Sequence, residues 1–312
     1  MKYIDLHCDT ITVSYNGGQS IIKNSLQADA VRLSKSGCIA QCFAIFTEGE
    51  NAGQDFEKYL SFYLKELKQN PDKISPVHSS ENLKKCVNSG ILGGVLTVEN
   101  LSFIGEDVSE ISRLAKIGVK MASLVWNNEN LFARPNLRFQ NGVPQFFERC
   151  GEGLTDLGFQ AVEELDANRI IIDISHLSDG GANDILNNRK IPIVASHSNA
   201  ERVCGVCRNL TDGLIKKIAD CGGVIGVNYC HDFLGGDTFE SVARHIARII
   251  DIGGEDCVAL GSDFDGIPAP EDLEDCSKVE NLLKFLESRM GATPLEKLAH
   301  LNFERVFKDV CG

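Results

Sequence analysis

The first apolar run of the chain ends in Asp5-Leu6-His7-Cys8-Asp9. Alternate side chains of an extended strand share a face, so Asp5, His7 and Asp9 project to one side. An imidazole and a carboxylate placed this way suit a divalent metal of borderline softness. One His-x-Asp pair is weak evidence by itself. It gains weight because residues of metal-binding type recur just past other apolar runs. Glu99 follows Gly94 to Val98, His176 follows Ile170 to Ser175, and His197 follows Ile193 to Ser196. Asp263 follows Val258 to Gly261, within Gly261-Ser262-Asp263-Phe264-Asp265-Gly266. Three of the seven histidines therefore stand at the C-terminal ends of predicted strands, while His78, His231, His245 and His300 fall in loops or helix-like stretches and are read as structural.

The elements that would hold these residues alternate in type along the chain. Short β-rich runs predict strands at Tyr3 to His7, Ile39 to Phe46, Gly94 to Val98, Lys120 to Val125, Ile170 to Ile174, Ile193 to Ala195, Gly223 to Val227 and Val258 to Gly261. Amphipathic stretches between them predict helices at Asp55 to Leu67, Ser109 to Ile117, Gly158 to Ala167, Gly180 to Leu186, Asp212 to Asp220 and Thr238 to Ile252. Two more, Val279 to Met290 and Pro294 to Phe307, close the chain. Strand and helix in alternation imply a parallel sheet. Runs such as Arg169 to Asp173 and Gly222 to Asn228 lack polar alternation, as strands covered on both faces do. No GxGxxG or Walker-type loop follows the first strand to favour an open nucleotide-binding sheet. The expected fold is a (β/α)8 TIM barrel of the metal-dependent hydrolase type, as one catalytic domain over residues 1–312, with its chemistry at the C-terminal ends of the strands.

Composition narrows the partners. The net charge of -13 argues against nucleic acid and against anionic membranes, both of which recruit clustered Lys and Arg. No apolar run reaches the roughly 20 residues that span a bilayer. Charge interrupts Met1-Lys2-Tyr3-Ile4-Asp5 too early for a signal peptide, so a cytoplasmic protein is expected. Its twelve cysteines then read as reduced thiols, Cys204 and Cys207 included, because no second CxxC completes a zinc module.

At these residues the sequence resembles the membrane dipeptidase (renal dipeptidase) family of zinc metallopeptidases. The matching stretches are Asp5 to Asp9, Glu99-Asn100, Gly153-Leu154-Thr155 with Gly158, Asp173 to His176, Ser196-His197-Ser198, Arg208-Asn209, Gly261 to Gly266, and Asn302-Phe303 with Arg305, in family order across nearly the whole chain. The resemblance implies two zinc ions, one held by His7 and Asp9, the other by His176 and His197, with Glu99 bridging. Two metals held close by a carboxylate share a hydroxide and polarise a carbonyl, which is what amide hydrolysis at neutral pH requires. By the same resemblance Asp263 relays a proton to the leaving amine, and Arg208 clamps the terminal carboxylate of a dipeptide, a task its planar fork suits. It implies a homodimer as well, for which no residue pattern argues.

One departure stands out. Renal-type members carry a histidine in the loop after the fourth strand that helps bind the substrate carbonyl; here Leu124-Val125-Trp126-Asn127-Asn128 puts Trp126 at that position. An indole N–H can donate one hydrogen bond but cannot accept or carry charge. Tyr229, after the seventh strand, is a further candidate substrate contact. The expected activity is zinc-dependent hydrolysis of dipeptides, including those with a C-terminal D-residue. Two alternatives stay open: a related binuclear amidohydrolase acting on another small amide, lactone or phosphoester, and a metal-stabilised binding protein without turnover.

Overall fold

A computed structural model describes residues 1–187 and 189–312. Eight parallel strands form the frame: β1 (Tyr3–Cys8), β2 (Cys38–Phe46), β3 (Leu92–Glu99), β4 (Val119–Ser123), β5 (Ile171–Asp173), β6 (Val194–Ala195), β7 (Val224–Val227) and β8 (Val258–Leu260). Each pairs with its chain neighbour, β2 with β3 over the longest register, from Ala40↔Gly93 to Phe46↔Glu99. Pairing of β1 with β8 through Asp5↔Leu260 closes the ring. This is the (β/α)8 TIM barrel that the alternation of elements predicts, and every expected strand falls within two residues of an observed one.

Apolar packing forms two clusters. The larger lies between strands and surrounding helices, for example Phe43, Leu96 and Ile172 with Phe56, Leu114 and Ala161. The smaller takes residues from all eight strands, including Ile4, Cys42, Val95, Met121, Ile171, Val194, Val224 and Ala259. Side chains from every strand of a closed ring can share one cluster only inside it. Phe303, Val306, Phe307 and Val310 of the last helix, Asn302–Cys311, complete this inner core. Asn302 Nδ2 donates to Val258 O at 2.8 Å, at the start of β8, so that helix plugs the N-terminal mouth and leaves the other end for chemistry.

Helices at Thr10–Asn16, Ala30–Lys35 and Ser80–Ser89 are not among the expected ones, and other features escape the sequence pattern as well. A strand at Ile74–Pro76 adds to the outer edge of β3, a small hairpin joins Phe139–Gln140 to Val143–Pro144, and the expected helix Pro294 to Phe307 is interrupted by a π turn at Lys297–Leu301. No helix of the described residues is long and apolar enough to cross a membrane.

Candidate active site

Strand ends bring the predicted residues together. His7 and Asp9 leave β1, Glu99 is the last residue of β3, and His176 and His197 stand just past β5 and β6. Asn100 and Asp263 hold left-handed backbone (φ 73° and 64°), where short polar side chains are tolerated and β-branched ones are not. Asn100 takes that turn while its Nδ2 donates to Thr47 O at 2.9 Å and its N–H to Ser123 Oγ at 3.0 Å, which ties the end of β3 to both neighbours and aims Glu99. Gly266 has no side chain for a reason: a Cβ there would run into the Asp9 and Asp263 carboxylates.

The two oxygens of Glu99 face different partners. Oε1 lies 2.8 Å from His176 Nε2 and 3.6 Å from His197 Nε2, whereas Oε2 lies 3.7 Å from His7 Nε2. His7 Nε2 is also 3.5 Å from Asp9 Oδ2 and 3.8 Å from Asp263 Oδ1. These are too long for hydrogen bonds, and His7 Nε2 and Asp9 Oδ1 are buried with no hydrogen-bond partner. Two ligands about 2.0–2.1 Å from one tetrahedral ion sit roughly 3.3–3.4 Å apart, close to the spacing around His7. On the other side, His176 and His197 point their Nε2 atoms at each other across 2.9 Å. Two triads, His7/Asp9/Glu99 and Glu99/His176/His197, thus fit a pair of cations with a shared carboxylate.

A third grouping of His7 and His197 includes Asp173, but its oxygens are occupied. Asp173 Oδ1 accepts from Ser175 N–H, Ser175 Oγ and Ser196 N–H, and Oδ2 accepts from Ser196 Oγ. Asp5 ties β1 to Ser262 in the same manner.

The electrostatics point the same way. Burial, then Arg208 and His7, hold His176 well below the usual imidazole range; burial, then His7, do the same for His197, so both rings are neutral and able to coordinate. Burial opposes protonation of His7, but Glu99, Asp9 and Asp263 outweigh it and push that ring up to about 10. Burial raises Glu99 and Asp263, each partly offset by His7. A pocket crowded with carboxylates must take up protons or cations, and cations satisfy the orphaned atoms as well.

A cavity of about 310 Å³ opens onto this cluster, lined on its polar side by Asp9, Glu99, His176, Arg208 and Asp263. Phe46, Trp126 and Phe233 supply aromatic walls; the Trp126 ring lies 4.8 Å from Phe46 and 6.1 Å from His176. Arg208 is 2 % exposed, donates to Ser175 O, lies over the Phe233 ring at 5.2 Å, and makes no ion pair with any described residue. Tyr229 is buried edge-on against Phe264, 5.8 Å between centroids, and does not line the cavity. Its neighbour Asn228 donates to Asp263 Oδ2 at 2.8 Å and leaves Oδ1 facing His7. Asn228 and Asn127, the latter 2.9 Å from His176 Nδ1, escaped the sequence reading, and position just past a strand is the only signal that marks the first.

Several known proteins resemble this chain. An uncharacterized Klebsiella pneumoniae protein from the pqqA 5′ region is 34% identical over 243 residues, 74% of this chain and 87% of that one. An uncharacterized dipeptidase of Schizosaccharomyces pombe is 31% identical over 302 residues, 90% of this chain and 71% of that one. The solved structure of dipeptidase AC, a metallopeptidase of family M19, matches with TM-score 0.92 and 25% identity over 100% of this chain and 99% of that one. A Rhodobacter sphaeroides metallopeptidase, liganded with a phosphinate mimic of L-Ala-D-Ala, shares the fold with TM-score 0.86 and 24% identity, over 99% of each chain. The family model for membrane dipeptidase matches residues 1–311, and with it the chain belongs to peptidase family M19, a family of metallopeptidases.

Proposed function

We propose that this chain is a zinc dipeptidase carrying two ions, one held by His7, Asp9 and Glu99 and the other by Glu99, His176 and His197. Bound there, zinc supplies a water of lowered pKa and polarises the scissile carbonyl. The chain's own residues do the remaining work. Asp263 Oδ1, left free by the Asn228 bond to Oδ2, holds the proton taken from water and delivers it to the leaving nitrogen. Arg208 binds the terminal carboxylate, and the aromatic walls exclude water from the reacting bond.

The observation that carries this reading is the buried, unpaired Arg208 guanidinium beside the paired histidines. A buried cation with no direct ion pair is costly, and a small substrate with a free carboxylate supplies the pair where the cut is made. The mimic bound by the Rhodobacter protein makes L,D-dipeptides the first class to try. The test is a screen of L,L, L,D and D,L dipeptides against C-terminal amides and lactones with zinc-loaded protein. Hydrolysis of free dipeptides, with a preference for L,D, is expected. Turnover of the amides or lactones in preference to every free dipeptide would overturn the reading.

A further inference from the structure

The two histidines that share one cation in this reading are anchored by different means. His197 Nδ1 lies 2.7 Å from Ser196 Oγ, whose hydroxyl donates to Asp173 Oδ2, so the chain behind His197 ends in a buried carboxylate. His176 has no such support within the barrel. Its Nδ1 lies 2.9 Å from Asn127 Oδ1, carried by the loop that follows β4.

We propose that Asn127 is the positioning residue that sets the tautomer of His176, and with it the ability of His176 to hold a cation; the inference rests on the two-ion reading above. An amide oxygen only accepts, so the ring proton lies on Nδ1 and the lone pair on Nε2. Arg208, which has only N–H groups to offer, stands 3.3 Å from Nε2 and requires the same arrangement. A competing state is built into the site. Glu99 Oε1 is 2.8 Å from His176 Nε2 and would accept a proton placed there. That tautomer forms a neutral histidine-carboxylate hydrogen bond and closes the lone pair to metal. Asn127 opposes it by rewarding Nδ1–H. Trp126, next in the chain, packs against Phe46 and over His176, which keeps the amide within reach of the ring.

The test compares wild type, Asn127→Ala and Asn127→Asp by zinc stoichiometry and by competition with a chromophoric chelator, with imidazole ¹⁵N shifts recorded on metal-free protein. Asn127→Ala should weaken one of the two ions by roughly 10- to 100-fold, leave the other at wild-type affinity, and move the His176 proton to Nε2. Asn127→Asp, which still accepts from Nδ1–H, should keep both ions and the wild-type tautomer. Wild-type affinity for both ions in Asn127→Ala, or equal weakening of both ions in the two variants, would overturn the proposal. A wild type that binds two ions keeps the two-ion reading standing in either case, and one that binds fewer overturns that reading itself.

Discussion

Replacing Arg208 by methionine separates binding from stability. The guanidinium is buried with no direct ion pair to a described residue, and burial lowers its pKa although Asp263 and Glu99 partly offset it, the mark of a charge held at a cost. Methionine has similar length and apolar character. The carbonyls that Arg208 contacts keep other donors: Ser175 O accepts from Asn136 Nδ2 at 3.0 Å and His197 O from Asn228 Nδ2 at 3.3 Å. No buried acceptor is orphaned by the change, so the urea midpoint of Arg208→Met should equal or exceed that of wild type. Substrate binding should suffer. A hydrogen bond to a charged group contributes about 1.5–3 kcal/mol, and with partial non-additivity a bidentate clamp contributes about 3 kcal/mol, or roughly 10²-fold in KM. The assay measures kcat and KM for a free dipeptide and its C-terminal amide. Wild type should favour the free acid by about 10²-fold in kcat/KM, and Arg208→Met should abolish that preference, mainly through KM. An undiminished preference in the variant would refute the carboxylate clamp, and a sharp fall in the urea midpoint would refute the claim that the cation is uncompensated.

Asp263→Asn keeps shape and the bond from Asn228 but cannot take up the proton, so kcat should fall by about 10²- to 10⁴-fold with zinc content preserved; unchanged kcat would remove Asp263 from proton transfer. His245 is fully buried, with Nδ1 accepting from Ala200 N–H and Nε2 donating to Leu234 O, and burial lowers it to about 4. Because the unfolded chain protonates near 6.5, this histidine contributes stability that is present above that pH and is lost as pH falls toward 4; between pH 7 and pH 5 the loss is about 2 kcal/mol, which His245→Gln should not show in urea titrations. Burial raises the pKa of both Cys204 and Cys207, and the two thiols bond to different carbonyls, of Asp232 and Gln145, so Cys204→Ala with Cys207→Ala should retain zinc and turnover. Loss of both in a folded double variant would relocate the metal site.

The barrel was legible because its strands are short apolar runs bounded by polar residues, and the candidate ligands because they follow such runs directly. Ile74–Pro76 was invisible: three residues ending in proline carry no period, and the strand forms only because β3 offers an edge. The π turn at Lys297–Leu301 leaves the apolar pattern of the surrounding helix intact, so sequence reads it as continuous. At Asn228-Tyr229 the sequence drew attention to the aromatic residue, yet backbone alternation turns Asn228 toward Asp263 and buries Tyr229 against Phe264. Such a choice depends on where a strand ends to the single residue, which composition does not set. Asn127 was hidden for another reason. It acts across 49 positions of sequence on His176, and only the folded loop makes them neighbours.

Metal analysis of zinc-reconstituted wild type, His176→Ala and Glu99→Ala tests most directly whether Glu99 joins two cation sites. Two ions per wild-type chain, selective loss of one in His176→Ala, and weakening of both in Glu99→Ala are the predicted result. At most one tightly bound ion in wild type, or a Glu99→Ala variant that holds one of its two ions at undiminished affinity, would contradict the bridged centre.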